Sequence, residues 1–266
     1  TGVDVVIQDS GIDPNHPEFN VASSGSRIKQ IDWYTESGLS GIQSADHYRD
    51  ADGHGTHCAG IAAGKTYGWA KGADVYSQKL AGLSGSDGTG IPIASAFDAI
   101  RLWHNAKSNG RPTVVNMSWG YGSKQTVDPT SGTYRGTPWN YGSDYTTRAD
   151  LWAATGVSRT FFGSMTVPVR VPSVDAEIED MIDAGIHVCI AAGNNRYKAD
   201  LPTGTDYNNS VVFGGSTYQY HRGSSPFSND AFMVGNIDAE VNLGVDKIAG
   251  SSTRGYLIIL VTLHTK

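Results

Sequence analysis

The sequence predicts an α/β fold in which a mostly parallel β-sheet is flanked by helices in three layers. Patterns typical of buried strands alternate with helical patterns along the chain, and several of these strands end in turns rich in polar residues. Glycine is abundant, with 33 residues scattered through turn-like contexts. Alternation of strands with helices favours parallel pairing, and the chemistry of such sheets lies beyond the carboxyl ends of the strands.

The first strand is predicted over residues 3–8, which are largely apolar and lead into a turn at Asp9. A helix over 92–106 carries apolar residues at helical spacing, among them Phe97 and Ile100. A helix over 174–184 has acids toward its start and ends before Gly185. The other predicted elements are a helix that follows Gly55, strands over 74–76, 113–117 and 186–192, and weaker strands over 232–234 and 256–261.

The length of 266 residues suits one large α/β domain or two small ones, and the pattern favours a single domain over residues 1–266. The region from about 121 to 172 interrupts the alternation of strands and helices. It is rich in Gly, Thr, Tyr and Trp and shows no clear period. We interpret this region as an insertion on the same domain.

Composition argues against several classes of protein. The net charge of −6 provides no basic excess for a nucleic-acid backbone. Two cysteines, Cys58 and Cys189, cannot form a disulfide framework, so a hydrophobic core must stabilise the fold. The apolar stretch over 256–261 is far shorter than the ~20 residues that span a bilayer, so no membrane partner is expected. The chain opens with neither a basic n-region nor a cleavage site, so no signal peptide is predicted in it.

Three polar clusters stand where strands end or helices begin. Asp9 follows the first strand, where a carboxylate can orient a histidine but where Asp also commonly closes a turn. His54 and His57 invite a metal-site interpretation, although no Glu follows His54 as in zinc metalloproteases. Asn194 follows the strand over 186–192, where an amide side chain usually belongs only to a turn.

Together these clusters resemble the subtilisin-like serine proteases, in which Asp, His and Ser occur in this chain order. The matching segments are VVIQDSGID at 5–13 with HPEF at 16–19, GHGTHCAG at 53–60, VVNMSWG at 114–120 and VCIAAGN at 188–194. The resemblance spans residues 3 to about 255 and leaves 121–172 unmatched. It implies the three-layer subtilisin-like fold and a serine endopeptidase that acts on polypeptides.

The resemblance also implies a role for individual residues. His54 matches the general base and later general acid, and Asp9 matches the carboxylate that fixes the tautomer of that histidine. Asn194 matches the side chain that donates to the oxyanion. His57 matches a second histidine, to which we assign a structural role. Cys58, one helical turn beyond His54, resembles the free thiol of proteinase K-like members.

The substrate-binding segment is matched by Ser118, Trp119 and Gly120, which would pair with substrate backbone and form one wall of the specificity pocket. The opposite substrate-binding edge would lie at residues 84–90. Trp119 stands where the family commonly has a smaller aliphatic residue, and the region 121–172 leaves directly from this wall. We therefore expect a specificity pocket that is altered on one rim.

The nucleophilic serine of the family has no counterpart in the sequence. The family carries it in a Gly-Thr-Ser-Met-Ala motif that opens a long helix, and this chain has no such motif. Ser251 and Ser252 stand in a segment that matches an earlier strand turn of the family. The sequence is therefore expected to be an incomplete or frame-shifted record of a protease. The alternative is a non-catalytic pseudo-protease that keeps the peptide groove.

A third class, a metal-dependent hydrolase, would use Asp9, His54 and His57 and would require zinc. The sequence offers no further ligand at metal spacing, which argues against this class. No cofactor is predicted for the protease.

Structural calcium is a further expectation from the family, and Asp46, Asp50 and Asp52 are carboxylates close together in sequence. Three such acids also form solvated turns, so no calcium site is assigned. The region 121–172 fits an exosite, a contact for a pro-segment, or attachment to a virion protein equally well. By family we expect an extracellular protein, with a virion-borne protease as the other option.

Overall fold

The computed structural model describes residues 2–21, 25–40, 49–80, 92–157, 165–238, 247–248, 252–255 and 258–262, and the structural statements below concern these residues. The strands are, in chain order, β1 (Asp4–Asp9), β2 (Asn20–Val21), β3 (Gly25–Ser26), β4 (Ile28–Gln30), β5 (Asp74–Lys79), β6 (Thr113–Met117), β7 (Gly122–Gln125), β8 (Ser131–Tyr134), β9 (Thr137–Asn140), β10 (Met165–Pro168), β11 (His187–Ala191), β12 (Lys198–Ala199), β13 (Ser210–Phe213), β14 (Ser216–Gln219), β15 (Phe232–Asp238), β16 (Lys247–Ile248), β17 (Arg254–Gly255) and β18 (Ile258–Thr262). The helices are α1 (Trp33–Ser37), α2 (His54–Ala63), α3 (Ile93–Ala106), α4 (Arg148–Thr155) and α5 (Pro172–Asp183), with a short 3-10 helix at Pro17–Phe19.

The chain divides into two compact units. The first contains residues 1–118 and 176–190, and the second contains residues 119–175 and 191–266. The single domain proposed over residues 1–266 stays a prediction.

A parallel sheet forms the centre of the first unit. Its strands lie in the order β11, β6, β1, β5 and β4, and each neighbouring pair is parallel. All residues of β1 are buried, which is typical of a strand covered on both faces. In the register of β1 with β5, Asp9 lies beside Lys79. The parallel sheet predicted from the alternating pattern is confirmed.

Helices cover both faces of this sheet. On one face, Ile7 of β1 belongs to the same buried cluster as Ala59 of α2. Gln8 points to the opposite face, because successive side chains of a strand alternate. There the side-chain amide of Gln8 donates to Gln78 at 2.9 Å, and Gln78 donates to the carbonyl oxygen of Ala96 in α3 at 2.5 Å. The first unit therefore has the three layers that the sequence predicts.

The second unit contains several smaller sheets. Antiparallel pairing joins the strands β14, β13, β8 and β9 in that order, and joins β7 to β10. Strand β12 pairs with β17 in parallel, and β15 pairs with β16 and β18. The buried cluster of this unit consists of Trp139, Leu151, Val157, Met165, Val167, Tyr197, Val211, Phe213 and Tyr220.

Residues 121–172 contain regular structure that the sequence pattern does not predict. Strands β7 to β10 and helix α4 lie in this region, and Trp139 contributes to the buried cluster. The strands are short and mostly polar, so no alternation reveals them. Arg135 Nε donates to Asp206 Oδ1 at 2.7 Å and ties the region to the later part of the unit. This contact holds the pKa of the buried Asp206 carboxyl well below its usual range.

The helices predicted over 92–106 and 174–184 correspond to α3 and α5, and the weak strand predicted over 256–261 corresponds to β18. The boundaries differ by one or two residues, as is usual for element ends. Among the described helices, none is both long and apolar enough to cross a bilayer.

The buried face of α3 should contribute far more to stability than its exposed face. The side chain of Ile100 is fully buried, whereas Leu102 on the same helix is 40% exposed. We expect Ile100→Ala to lower the free energy of unfolding by about 2–5 kcal/mol, because it removes buried methyl groups and leaves a cavity. Leu102→Ala should cost less than about 1 kcal/mol. Urea unfolding of both variants measures the difference, and equal losses would contradict the packing described for α3.

Candidate active site

Strand β1 delivers Asp9 to the carboxyl end of the parallel sheet. The strand is buried along its whole length, and the side chain of Asp9 is only 4% exposed. The backbone N–H of Ser10 donates to Asp9 Oδ1 at 2.7 Å, which fixes the orientation of the carboxylate. A buried carboxylate therefore stands at the edge where parallel sheets place their chemistry.

Helix α2 begins at His54 and places it beside this carboxylate. The preceding residue, Gly53, has a φ of +89°, which glycine adopts without strain. At Gly55 a Cβ atom would collide with the carbonyl oxygen of Gly11 and would lie 3.2 Å from Asp9 Cβ. The first turn of α2 can approach the end of β1 only because residue 55 lacks a side chain.

The side chains of Asp9 and His54 are in direct contact. His54 Nδ1 lies 2.7 Å from Asp9 Oδ1, so the hydrogen bond expected between the two residues is present. The side chain of His54 is 41% exposed, whereas that of Asp9 is almost completely buried. The carboxylate therefore holds Nδ1, while the imidazole ring still reaches solvent. The catalytic roles assigned to both residues stay predictions.

The buried carboxylate strongly favours the protonated form of His54. The hydrogen bond with Asp9, followed by the contact with Cys58 Sγ at 3.9 Å, raises the pKa of His54 from 6.5 to about 10, although burial opposes this shift. Because the pKa is raised on folding, the pair stabilises the protein fully below pH 6.5. This contribution is lost as the pH rises through about 10.

A metal site built from Asp9, His54 and His57 does not assemble among the described residues. The potential ligand atoms that lie within 4.8 Å of one another belong to Asp9, His54 and Cys58. His57 is exposed and is not part of this group. The ligand set considered for a metal-dependent hydrolase is therefore not the set that the fold brings together.

Asp50 does not fit a calcium ligand. Its Oδ1 accepts from Ser10 Oγ and Gly53 N–H, each at 2.8 Å, and its Oδ2 accepts from Thr56 N–H at 2.8 Å. Hydrogen-bond donors thus occupy the positions that a cation would need. Asp46 lies outside the described residues. No calcium site is derived for these acids.

The residues predicted to bind substrate are divided between the two units. Ser118 is half-buried in the first unit, and its Oγ accepts from Asn116 Nδ2 at 2.9 Å. In the second unit Trp119 is half-buried and packs edge-on against Tyr121, with 5.9 Å between ring centroids, while Gly120 is exposed. The predicted edge at residues 84–90 lies outside the described residues.

Asn194 lies in the second unit, near Ser224, a residue that the sequence analysis did not identify. Asn194 is exposed and follows Gly193, which has a φ of +94°. A Cβ atom added to Gly193 would lie 4.0 Å from Ser224 Oγ, and one added to Gly120 would lie 3.1 Å from it. Ser224 therefore lies close to both Gly120 and Gly193. No sequence signal indicates this, because the three segments are far apart in the chain.

Ser252 is buried and only 1% exposed. Its Oγ donates to the carbonyl oxygen of Thr253 at 2.9 Å and accepts from the N–H of Asn236 at 3.0 Å. Both hydrogen-bonding functions of the hydroxyl are therefore used within the fold. Ser251 lies outside the described residues.

Comparison with known proteins identifies a family resemblance over most of the chain. A model described as the subtilase family matches residues 1–245. A subtilisin-like serine protease of Davidiella tassiana is 26% identical over an alignment covering 99% of this chain and 43% of that protein. A cuticle-degrading serine protease of Orbilia oligospora is 36% identical over 47% of this chain and 26% of that protein. The chain thus spans less than half the length of these curated relatives.

Solved structures support the fold. A cold-adapted subtilisin-like serine proteinase matches with a TM-score of 0.54 and 20% identity, over 97% of this chain and 62% of that one. At this identity the match establishes the shared architecture. The subtilisin-like α/β fold predicted from the sequence is confirmed.

The contact between His54 and Asp9 should be visible in the titration of the histidine. We expect NMR to give His54 a pKa well above 6.5, and we expect Asp9→Asn to bring it back toward 6.5. His104 serves as an internal control, because burial and nearby Lys107 lower its pKa. Asp9→Asn should leave the pKa of His104 unchanged. A His54 that titrates at or below 6.5 in the unmodified chain would contradict the geometry.

Proposed function

Because the chain belongs to the subtilase family of serine proteases, whose model matches residues 1–245, we propose that it is a serine-type endopeptidase that hydrolyses peptide bonds. The observation that carries the proposal is the 2.7 Å contact between His54 Nδ1 and Asp9 Oδ1. A carboxylate at Nδ1 holds the proton on that nitrogen. The neutral ring then presents Nε2 as a base.

The proposed reaction is acyl transfer through a serine nucleophile. His54 Nε2 takes the proton of the serine hydroxyl as its oxygen attacks the peptide carbonyl carbon. Collapse of the tetrahedral intermediate breaks the C–N bond, and His54 returns the proton to the leaving amine. Water then hydrolyses the acyl-enzyme with the same histidine as base. Asp9 stabilises the imidazolium in both steps.

We propose that Asn194 donates its side-chain amide to the oxyanion of the intermediate. The residue lies at an exposed turn after a glycine with positive φ, which leaves the amide accessible to a ligand. Loss of such a donor typically costs ~10²–10³ in turnover. Ser118, Trp119 and Gly120 are proposed to bind the substrate backbone, and Ser224, whose Oγ lies close to Gly120, is proposed to support this wall.

The nucleophile is proposed to lie outside the 266-residue sequence. The sequence holds no Gly-Thr-Ser-Met-Ala motif, and Ser252 is a poor candidate because its hydroxyl is buried and already hydrogen-bonded on both sides. A reactive serine needs its oxygen free to attack and its proton directed at a base. The 266-residue chain by itself is therefore proposed to be inactive.

A polypeptide substrate follows from the family. An extracellular location, and a pro-segment or a virion protein as a partner, are proposed on the family resemblance alone. The acidic net charge of −6 supports the proposal that nucleic acid is not a partner.

A fluorophosphonate probe, which reacts with an activated serine, tests the proposed function. We expect labelling of the full-length gene product, and we expect His54→Ala to abolish it because the serine loses its base. The 266-residue chain should remain unlabelled. Labelling at Ser251 or Ser252 that disappears in His54→Ala would contradict the assignment of the nucleophile. A full-length product that binds peptides but is never labelled would support the pseudo-protease instead.

A further inference from the structure

We propose that Asp50 is a positioning residue, which holds the turn that carries Asp9 and the helix start that carries His54 in one fixed arrangement. It acts through its hydrogen bonds to residues that neighbour the pair. Its effect on catalysis rests on the proposed function, whereas its effect on the geometry of the pair does not.

The carboxylate of Asp50 accepts hydrogen bonds from both segments. Ser10 Oγ, from the residue that follows Asp9, donates to Oδ1 at 2.8 Å. The N–H of Gly53, the residue before His54, also donates to Oδ1 at 2.8 Å. Thr56, in the first turn of α2, donates to Oδ2 through its N–H at 2.8 Å and through its Oγ1 at 2.6 Å.

The two segments are also linked by the groups that contact Asp50. Ser10 Oγ accepts from the N–H of Gly55 at 2.9 Å, while it donates to Asp50. Thr56 Oγ1 accepts from the N–H of Asp13 at 2.9 Å, while it donates to Asp50. Each hydroxyl therefore has one defined donor and one defined acceptor, which fixes its direction. The end of β1 and the start of α2 are joined through one carboxylate.

The position of Asp50 is itself fixed by the sheet. The carbonyl oxygen of Arg49, the preceding residue, accepts from Lys79 Nζ at 2.7 Å. Lys79 is 1% exposed and lies in register with Asp9 on the neighbouring strand. The turn that carries Asp50 is thus attached to the same strand pair that carries Asp9.

The charge of Asp50 suits this role. Burial raises the pKa of this carboxyl, but the hydrogen bonds from Thr56, Gly53 and Ser10 outweigh burial and lower the pKa below its usual range. The ionised group offers two acceptor oxygens to N–H groups at the start of α2, where a negative charge is favoured. An Asn side chain would offer one oxygen only, and its NH₂ group would face a donor.

Asp50→Asn tests the proposal, with Asp52→Asn as a matched control because Asp52 is an exposed carboxylate in the same turn. In NMR spectra of the 266-residue chain, we expect Asp50→Asn to move the pKa of His54 toward 6.5 and to weaken its Nδ1–H signal. In the full-length protein, kcat should fall by up to about 10²-fold with KM nearly unchanged, since the reacting groups are misaligned. Asp52→Asn should leave the pKa of His54, its Nδ1–H signal and kcat unchanged.

A second variant, Thr56→Val, keeps the shape of the side chain and removes only the hydrogen bonds of Oγ1. It therefore tests the role of Asp50 even if Asp50→Asn fails to fold. We expect Thr56→Val to move the pKa of His54 in the same direction as Asp50→Asn, by a smaller amount. Unchanged His54 signals in both variants, or equal changes in Asp52→Asn, would overturn the proposal. A full-length protein that hydrolyses no peptide would contradict the proposed function, while the NMR result would still decide the role of Asp50.

Discussion

The close approach of helix α2 to the end of strand β1 is the constraint on which the candidate site depends. The approach brings His54 Nδ1 to 2.7 Å from a carboxylate that is almost fully buried. It is possible because Gly55 lacks a Cβ atom, which would otherwise collide with the carbonyl oxygen of Gly11. The hydrogen bond, the raised pKa of His54 and the proposed base chemistry all follow from this one contact between backbone segments.

Asp9 and His54 have different surroundings, and these suit different roles. Asp9 is held by the sheet and by the N–H of Ser10, so it supplies a fixed negative charge. His54 remains partly exposed, so its ring is available to a reacting group. Asp50 joins the two segments because it accepts hydrogen bonds from Ser10 and from Gly53. A network of this kind keeps two groups in register although they are 45 residues apart in the chain.

Sequence reasoning succeeds where the signal is local. Four short segments, among them the strand that ends at Asp9 and GHGTHCAG at 53–60, carry the family resemblance that indicates the pair. The strands within 121–172 are not predicted, because they are short and mostly polar, and because β7 pairs with β10 and β8 with β13, which are distant in sequence. Ser224 is not indicated either, since only folding brings this residue close to Gly120 and Gly193. By sequence Asp50 is only one of three nearby acids to which no calcium site is assigned, because the sequence cannot show which donors face its carboxylate.

The pH dependence of peptide hydrolysis by the full-length protein tests the central claim most directly. If neutral His54 is the base, kcat/KM should rise with pH along a single limb whose midpoint equals the pKa of His54 measured by NMR in the same protein. Asp9→Asn should move both values together, because the same hydrogen bond sets them. A limb that does not move with the histidine, or hydrolysis that survives His54→Ala and stops with a chelator, would contradict the account.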